Sequence, residues 1–133
     1  YYGHIRLTGD TDIFYDARSM NAARLFAALQ VFWHGTVPGI HTAEELSEPG
    51  LILQFGRPPR RIDLLNAISG VSFDEAWRTR CNVSYSAGGR AFLIHYVGLT
   101  CLMRNKRAVG RPKDMEDLAF LTASAKRKRK TSR

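Results

Sequence analysis

The chain has 133 residues, 44% of them hydrophobic and 24% charged, the balance of an ordinary soluble globular protein. No apolar run approaches the length needed to span a bilayer, which excludes a membrane segment from the reading, and Cys81 and Cys101 have neither the spacing of a zinc or redox motif nor the density of a disulfide scaffold. The formal net charge is +8, but Lys126, Arg127, Lys128, Arg129, Lys130 and Arg133 supply six of those charges and leave +2 on residues 1–125.

These bounds predict one folded domain over residues 1–121, large enough for a single core, and a basic disordered tail over residues 122–133. The tail is either a solvated, self-repelling extension or an arm that binds nucleic-acid phosphates without reading bases. A reducing cytoplasm is the expected location, with both thiols packed as small hydrophobes. The chain starts at Tyr1 with no secretory or transit peptide visible, so a trimmed start or a fragment is expected.

Ile5 to Tyr15 has the β-branched and aromatic content of a strand, interrupted by the turn-capable Thr8-Gly9-Asp10. In an extended chain the period of two turns Asp10 and Asp12 onto one face. Such a D-x-D pair is either solvent-facing decoration of a strand or half of a magnesium site, since that cation takes oxygen ligands from one or two carboxylates. Ser19 or Asn21 can cap a helix running to about Phe32, with Ala23, Leu25, Phe26, Leu29 and Phe32 as its apolar face. Trp33 to Ile40 reads as a loop, and Thr42-Ala43-Glu44-Glu45 opens a short helix that Pro49-Gly50 closes.

Leu51 to Phe55 and Arg60 to Leu65 read as two strands of a hairpin. Asp63 is a lone carboxylate inside the second strand, where an unpaired charge is costly. It is compensated by a salt bridge to Arg60 or Arg61, by an edge position, or by a cation shared with Asp10 and Asp12 on an adjacent strand. Ser72 and Glu75 make a capping box for a helix ending near Arg80. Val83 to Tyr85 and Ala91 to Tyr96 form a second hairpin through Gly88-Gly89. Leu99 to Ala108 is a helix stopped by Gly110, and Pro112 opens the last helix, with Asp114, Glu116 and Asp117 near its positive end and Leu118, Phe120 and Leu121 as core candidates.

Three stretches together carry a resemblance: Arg6-x-Thr8-Gly9-Asp10-x-Asp12-Ile13, Gly56-x-Pro58-x-Arg60-x-Ile62-Asp63-Leu64-Leu65, and Arg104-Asn105-Lys106-x-Ala108-x-Gly110-Arg111-x-Lys113-Asp114-x-x-Asp117-Leu118. In this order the chain resembles the minimal nucleotidyltransferase-like proteins of the polymerase-beta superfamily. The resemblance implies an α+β fold, a mixed β-sheet with helices packed mainly on one face. It implies that Asp10, Asp12 and Asp63 bind two magnesium ions, that Thr8 and Gly9 belong to the nucleotide-binding set, and that Lys106 and Lys113 turn toward the nucleotide phosphates or the acidic cluster, Arg111 and Lys113 being equally readable as helix-start charges. The implied reaction moves a nucleoside monophosphate from a nucleoside triphosphate to a hydroxyl of a protein, RNA or small-molecule acceptor, with Asp63 nearest the acceptor.

Of the family's Gly-Gly or Gly-Ser turn, which opens a helix ahead of the D-x-D strand and grips the triphosphate, only Tyr2-Gly3 stands before the strand; either the turn and its helix lie upstream of Tyr1 or the protein does without them. That departure leaves two further expectations beside the enzyme. One is a non-catalytic binding module of the same fold, like the partner proteins of toxin–antitoxin or phage-defence pairs, with a homodimer covering any apolar surface uncovered by the missing elements. The other is nucleic-acid binding through the basic tail.

Overall fold

A computed structural model describes the backbone of residues 10–131 and the side chains of residues 10–125. It is α+β, with a mixed three-stranded sheet, a two-stranded sheet and four α-helices among the described residues. The sequence predicts one core for residues 1–121, but the described residues divide into two compact units, one within Leu7–Ile68 and one within Ser69–Arg133. Each unit gathers its own apolar centre from elements that are neighbours in the chain.

In the first unit, β1 (Asp10–Phe14) is followed by α1 (Ser19–Phe32), a 3₁₀ turn at Glu44–Ser47, β2 (Ile52–Arg57) and β3 (Arg60–Leu65). The strands lie in the order β1-β3-β2, with β3 parallel to β1 and antiparallel to β2. Alternation along the strands sends Leu53, Phe55, Ile62 and Leu64 to a core shared with Leu25, Phe26, Leu29 and Trp33 of the α1 segment. Ala22, Leu25, Phe26, Leu29 and Trp33 repeat at helical spacing, so this stripe, and not one containing Ala23 and Phe32, faces inward. Phe32 is 63% exposed.

Neither Ser19 nor Asn21 caps α1. The cap position is Arg18, with extended backbone and no side-chain cap bond, while the Asn21 amide donates to the Asp16 carbonyl at 2.8 Å. Val37 and Ile40, inside the predicted loop, are buried in the core with Leu46, which has no exposed surface. The buried Tyr15 hydroxyl donates to the Leu46 carbonyl at 2.9 Å and ties the 3₁₀ turn to the end of the sheet. Glu45 accepts from the backbone N–H groups of His41 and Thr42 at 2.9 Å each, which closes the predicted start at Thr42.

The second unit holds α2 (Phe73–Arg78), β4 (Cys81–Ala87), β5 (Arg90–Tyr96), α3 (Leu99–Val109) and α4 (Pro112–Thr131). The Ser72 hydroxyl accepts from the Glu75 N–H at 3.3 Å, the predicted cap. Gly88 and Gly89 take φ of 57° and 75°, as a two-residue type I′ hairpin requires. Gly110 ends α3 in the left-handed region at φ 69°. Val71, Ala76, Cys101, Leu118 and Leu121 are buried in this unit, whereas Phe120 is 36% exposed. Cys81 is half-buried and Cys101 fully buried.

The tail prediction also changes. Helical backbone continues to Thr131, ten residues beyond the predicted boundary at residue 121, and the run of Ala, Lys and Arg there has high intrinsic helix propensity. Among the described residues no helix is long and apolar enough to cross a membrane.

Candidate functional site

The face of the three-stranded sheet opposite the α1 core is polar, and the strand register decides what meets there. Parallel pairing sets Asp12 level with Asp63 and Asp10 level with Arg61, on strands about 5 Å apart. Antiparallel pairing sets Gln54 of β2 level with Asp63. Because side chains alternate, Asp10 and Asp12 on β1, Arg61 and Asp63 on β3 and Gln54 on β2 share one face. The carboxylates that the sequence separates by more than fifty residues are thus brought together by one parallel strand pair.

Arg61 organises them. Its Nη2 lies 2.6 Å from Asp10 Oδ2, and the same guanidinium holds Asp63 through Nε at 2.8 Å to Oδ1 and Nη2 at 3.0 Å to Oδ2. Gln54 Nε2 donates to Asp63 Oδ2 at 3.2 Å. Asp63 thereby has both oxygens satisfied, which is how a carboxylate only 10% exposed is tolerated in a strand. The hydrogen bond to Asp63 raises the Arg61 pKa; partial desolvation opposes this, and the charges of Asp10, Asp63 and Asp12 add to the rise.

One atom on this face is left over. Asp10 Oδ1 is buried and has no hydrogen-bond partner, although the Asp10 side chain as a whole is 31% exposed. A buried carboxylate oxygen without a partner is costly, and a cation or donor entering the face would satisfy it. As the side chains stand, no three of the described His, Cys, Asp and Glu residues converge as a metal site. Arg61 occupies the centre between Asp10 and Asp63 and supplies the positive charge there.

The remaining predicted site residues are Thr8, Gly9, Lys106 and Lys113. Thr8 and Gly9 fall outside the described residues. Lys106 and Lys113 belong to the second unit, and Lys106 is engaged within it. Its Nζ lies 2.9 Å from Asp114 Oδ1 and 2.9 Å from Asp117 Oδ2. Burial lowers the Lys106 pKa, but the hydrogen bonds to Asp117 and Asp114 outweigh it and leave the pKa raised. Asp114 is wholly buried and also accepts from Arg111 Nε at 2.6 Å. Arg111 foremost, then Lys106, holds its carboxyl at about 2 against the opposing effect of burial. This is a closed ion cluster joining α3 to α4. Lys113 is exposed at the start of α4.

Sequence reasoning found Asp63 and named Arg61 as one of its counter-charges, but not that the same guanidinium reaches Asp10. Gln54 was missed altogether. The signal for it was present, because a hairpin from Ile52 to Leu65 fixes Gln54 opposite Asp63 once the turn at Pro58-Pro59 is placed. No protein-family model, no curated protein and no solved structure matches this chain.

Proposed function

We propose that the polar face of the β1-β3-β2 sheet is a nucleotidyl-transfer site that takes magnesium and a nucleoside triphosphate, as in the minimal nucleotidyltransferase-like proteins the sequence resembles. The observation that carries the reading is the parallel register that sets Asp12 beside Asp63 with Asp10 on the same face. Three carboxylates are hard oxygen donors of the kind magnesium prefers, and the unpartnered Asp10 Oδ1 is an acceptor with nothing to accept from. Asp10, Asp12 and Asp63 are the residues that would hold the two cations. Bound magnesium supplies charge neutralisation for the acidic face and the phosphates together.

The chain's own residues define the rest. Arg61 must turn away from Asp10 and Asp63 for the carboxylates to bind a metal, and a guanidinium released on that face suits phosphate oxygens. Asp63 then takes the proton of the acceptor hydroxyl as that oxygen bonds to the α-phosphorus and the bond to pyrophosphate breaks. Lys106, committed to Asp114 and Asp117, is left out of this proposal. The acceptor is a hydroxyl of a protein, an RNA or a small molecule.

Arg61 also supports a second reading. A face neutralised by its own arginine describes a non-catalytic binding module, of the kind that serves as a partner in toxin–antitoxin or defence pairs or as a homodimer. Calorimetric titration with ATP, GTP, CTP and UTP, with and without magnesium, separates the two. Metal-dependent binding that disappears in Asp10→Asn supports the transfer site, and Asp12→Ala and Asp63→Ala then abolish transfer while the fold persists. Absence of binding by all four triphosphates, or transfer that survives both substitutions, rejects it in favour of the binding module.

A further inference from the structure

We propose that the outer half of the β4-β5 hairpin is a docking surface for single-stranded nucleic acid, a role independent of the acidic sheet face. The register places Cys81 with Tyr96, Val83 with Ile94, Tyr85 with Phe92 and Ala87 with Arg90, and alternation puts all of these on one face. Near the base of the hairpin Val83 and Ile94 are half-buried. Towards the tip Tyr85 is 53% and Phe92 46% exposed. Their rings lie 5.4 Å apart at an interplanar angle of 53°. Arg90 follows on the same face at the turn.

Trp77, 43% exposed in the same unit, is differently placed. Trp77 stacks with Phe73 at 5.9 Å, meets the edge of His95 at 4.8 Å and carries the Arg80 guanidinium 4.0 Å above its ring. Tyr85 and Phe92, by contrast, form a ring pair only with each other among the described residues. A two-stranded hairpin gains little stability alone, so two large rings left open at its tip point to a covering partner.

Charge identifies the partner. Residues 1–68 hold six Arg against seven Asp and Glu, a formal −1, whereas residues 69–133 hold fourteen Lys and Arg against five acids, a formal +9, of which +6 belongs to residues 126–133 and +3 to residues 69–125. Most of those acids are spent internally: Asp114 and Asp117 on Lys106, Asp114 also on Arg111, and Glu75 on Arg104 at 2.7 Å. Arg90 and Arg107 make no ion pair among the described residues. A strongly cationic unit that presents bare rings beside an arginine matches a polyanion with flat π-faces, which is the chemistry of unpaired nucleotides. A duplex hides those faces.

The test is fluorescence anisotropy of the full chain with a labelled RNA strand of about 12 nucleotides, within the site sizes known for such surfaces, and with its duplex. The surface predicts tighter binding of the single strand. Tyr85→Leu/Phe92→Leu, which keeps apolar side chains in the strand pair, should weaken single-strand binding about tenfold or more, at a salt dependence unchanged from wild type. Arg90→Ala should lower the salt slope by about one. Should the double variant fail to fold by circular dichroism, photocrosslinking of a thiouridine strand to the wild type must label the Tyr85–Phe92 segment. Equal binding of strand and duplex, labelling elsewhere, no binding at all, or a wild-type dimer dissolved by the double substitution would each overturn the proposal, the last by showing a second copy on this face.

Discussion

The two units handle buried charge in opposite ways. In the second, Asp114 and Asp117 are 1% and 8% exposed at their side chains, and Lys106 and Arg111 close the cluster from both sides. In the first, Asp10 and Arg61 keep 31% and 26% of their side-chain surface, and one oxygen of Asp10 is left without a donor. A sealed and fully paired cluster holds helices together. An open and incompletely paired one is where an outside charge can still be received. The contrast is why Lys106, although it resembles a family site residue, is read here as structural and Arg61 as the residue to watch.

The largest effect expected from breaking this comparison is on the sealed side. Lys106→Met strips a buried carboxylate pair of its shared cation and should cost about 3–5 kcal/mol, read as a lower midpoint in urea unfolding. Arg61→Met should shift that midpoint less, because Asp10 is part-exposed and Gln54 still donates to the buried Asp63, and on the proposed reading it changes the response to magnesium. Equal losses from the two substitutions would erase the distinction between the clusters.

Acid sharpens it next. Asp114 has its pKa lowered from 3.8 to about 2 by Arg111 and then Lys106. A depressed carboxyl stabilises the fold above its unfolded pKa, and that contribution fades as pH falls from 3.8 towards about 2. The loss is on the order of 2 kcal/mol. Chemical denaturation between neutral and strongly acidic pH should show it, and Asp114→Asn should remove that part of the acid dependence. The smallest effect concerns a purely local device: Ser72→Ala should destabilise by about 1 kcal/mol through loss of the α2 cap, measurable as a modest shift in thermal midpoint with no change at the acidic face.

These cases also mark what could be read from the sequence. The Ser72 cap, the Gly88-Gly89 turn, the Gly110 stop and the Asp63-bearing hairpin strand were legible because each depends on residues within a few positions of one another. Pairing Asp63 with the D-x-D strand was legible as a possibility, since a charged residue in an apolar strand demands compensation. What escaped depends on distant partners. Nothing near Asp114 says that a first-turn aspartate will be wholly buried, because the residue that permits it, Lys106, sits on the preceding helix. Val37 and Ile40 carry core burial in a stretch with the composition of a loop, and Trp33 displaces Phe32 from the core by one position of helical phase. The division at Ile68 and Ser69 is invisible to a reading by length alone.

The parallel pairing of β1 with β3 has a consequence for the order in which the acidic face comes into being. β2 and β3 are joined by a tight turn and can pair at the cost of closing a short loop, whereas β1 pairs with β3 only by closing the chain around α1, the 3₁₀ turn and β2. Local pairings form ahead of such non-local ones. Asp63 with Gln54 and Arg61 therefore belongs to the early hairpin, and Asp10 and Asp12 arrive with the last strand to dock. During synthesis the face stays incomplete until residue 65 has been made and β1 has paired with β3.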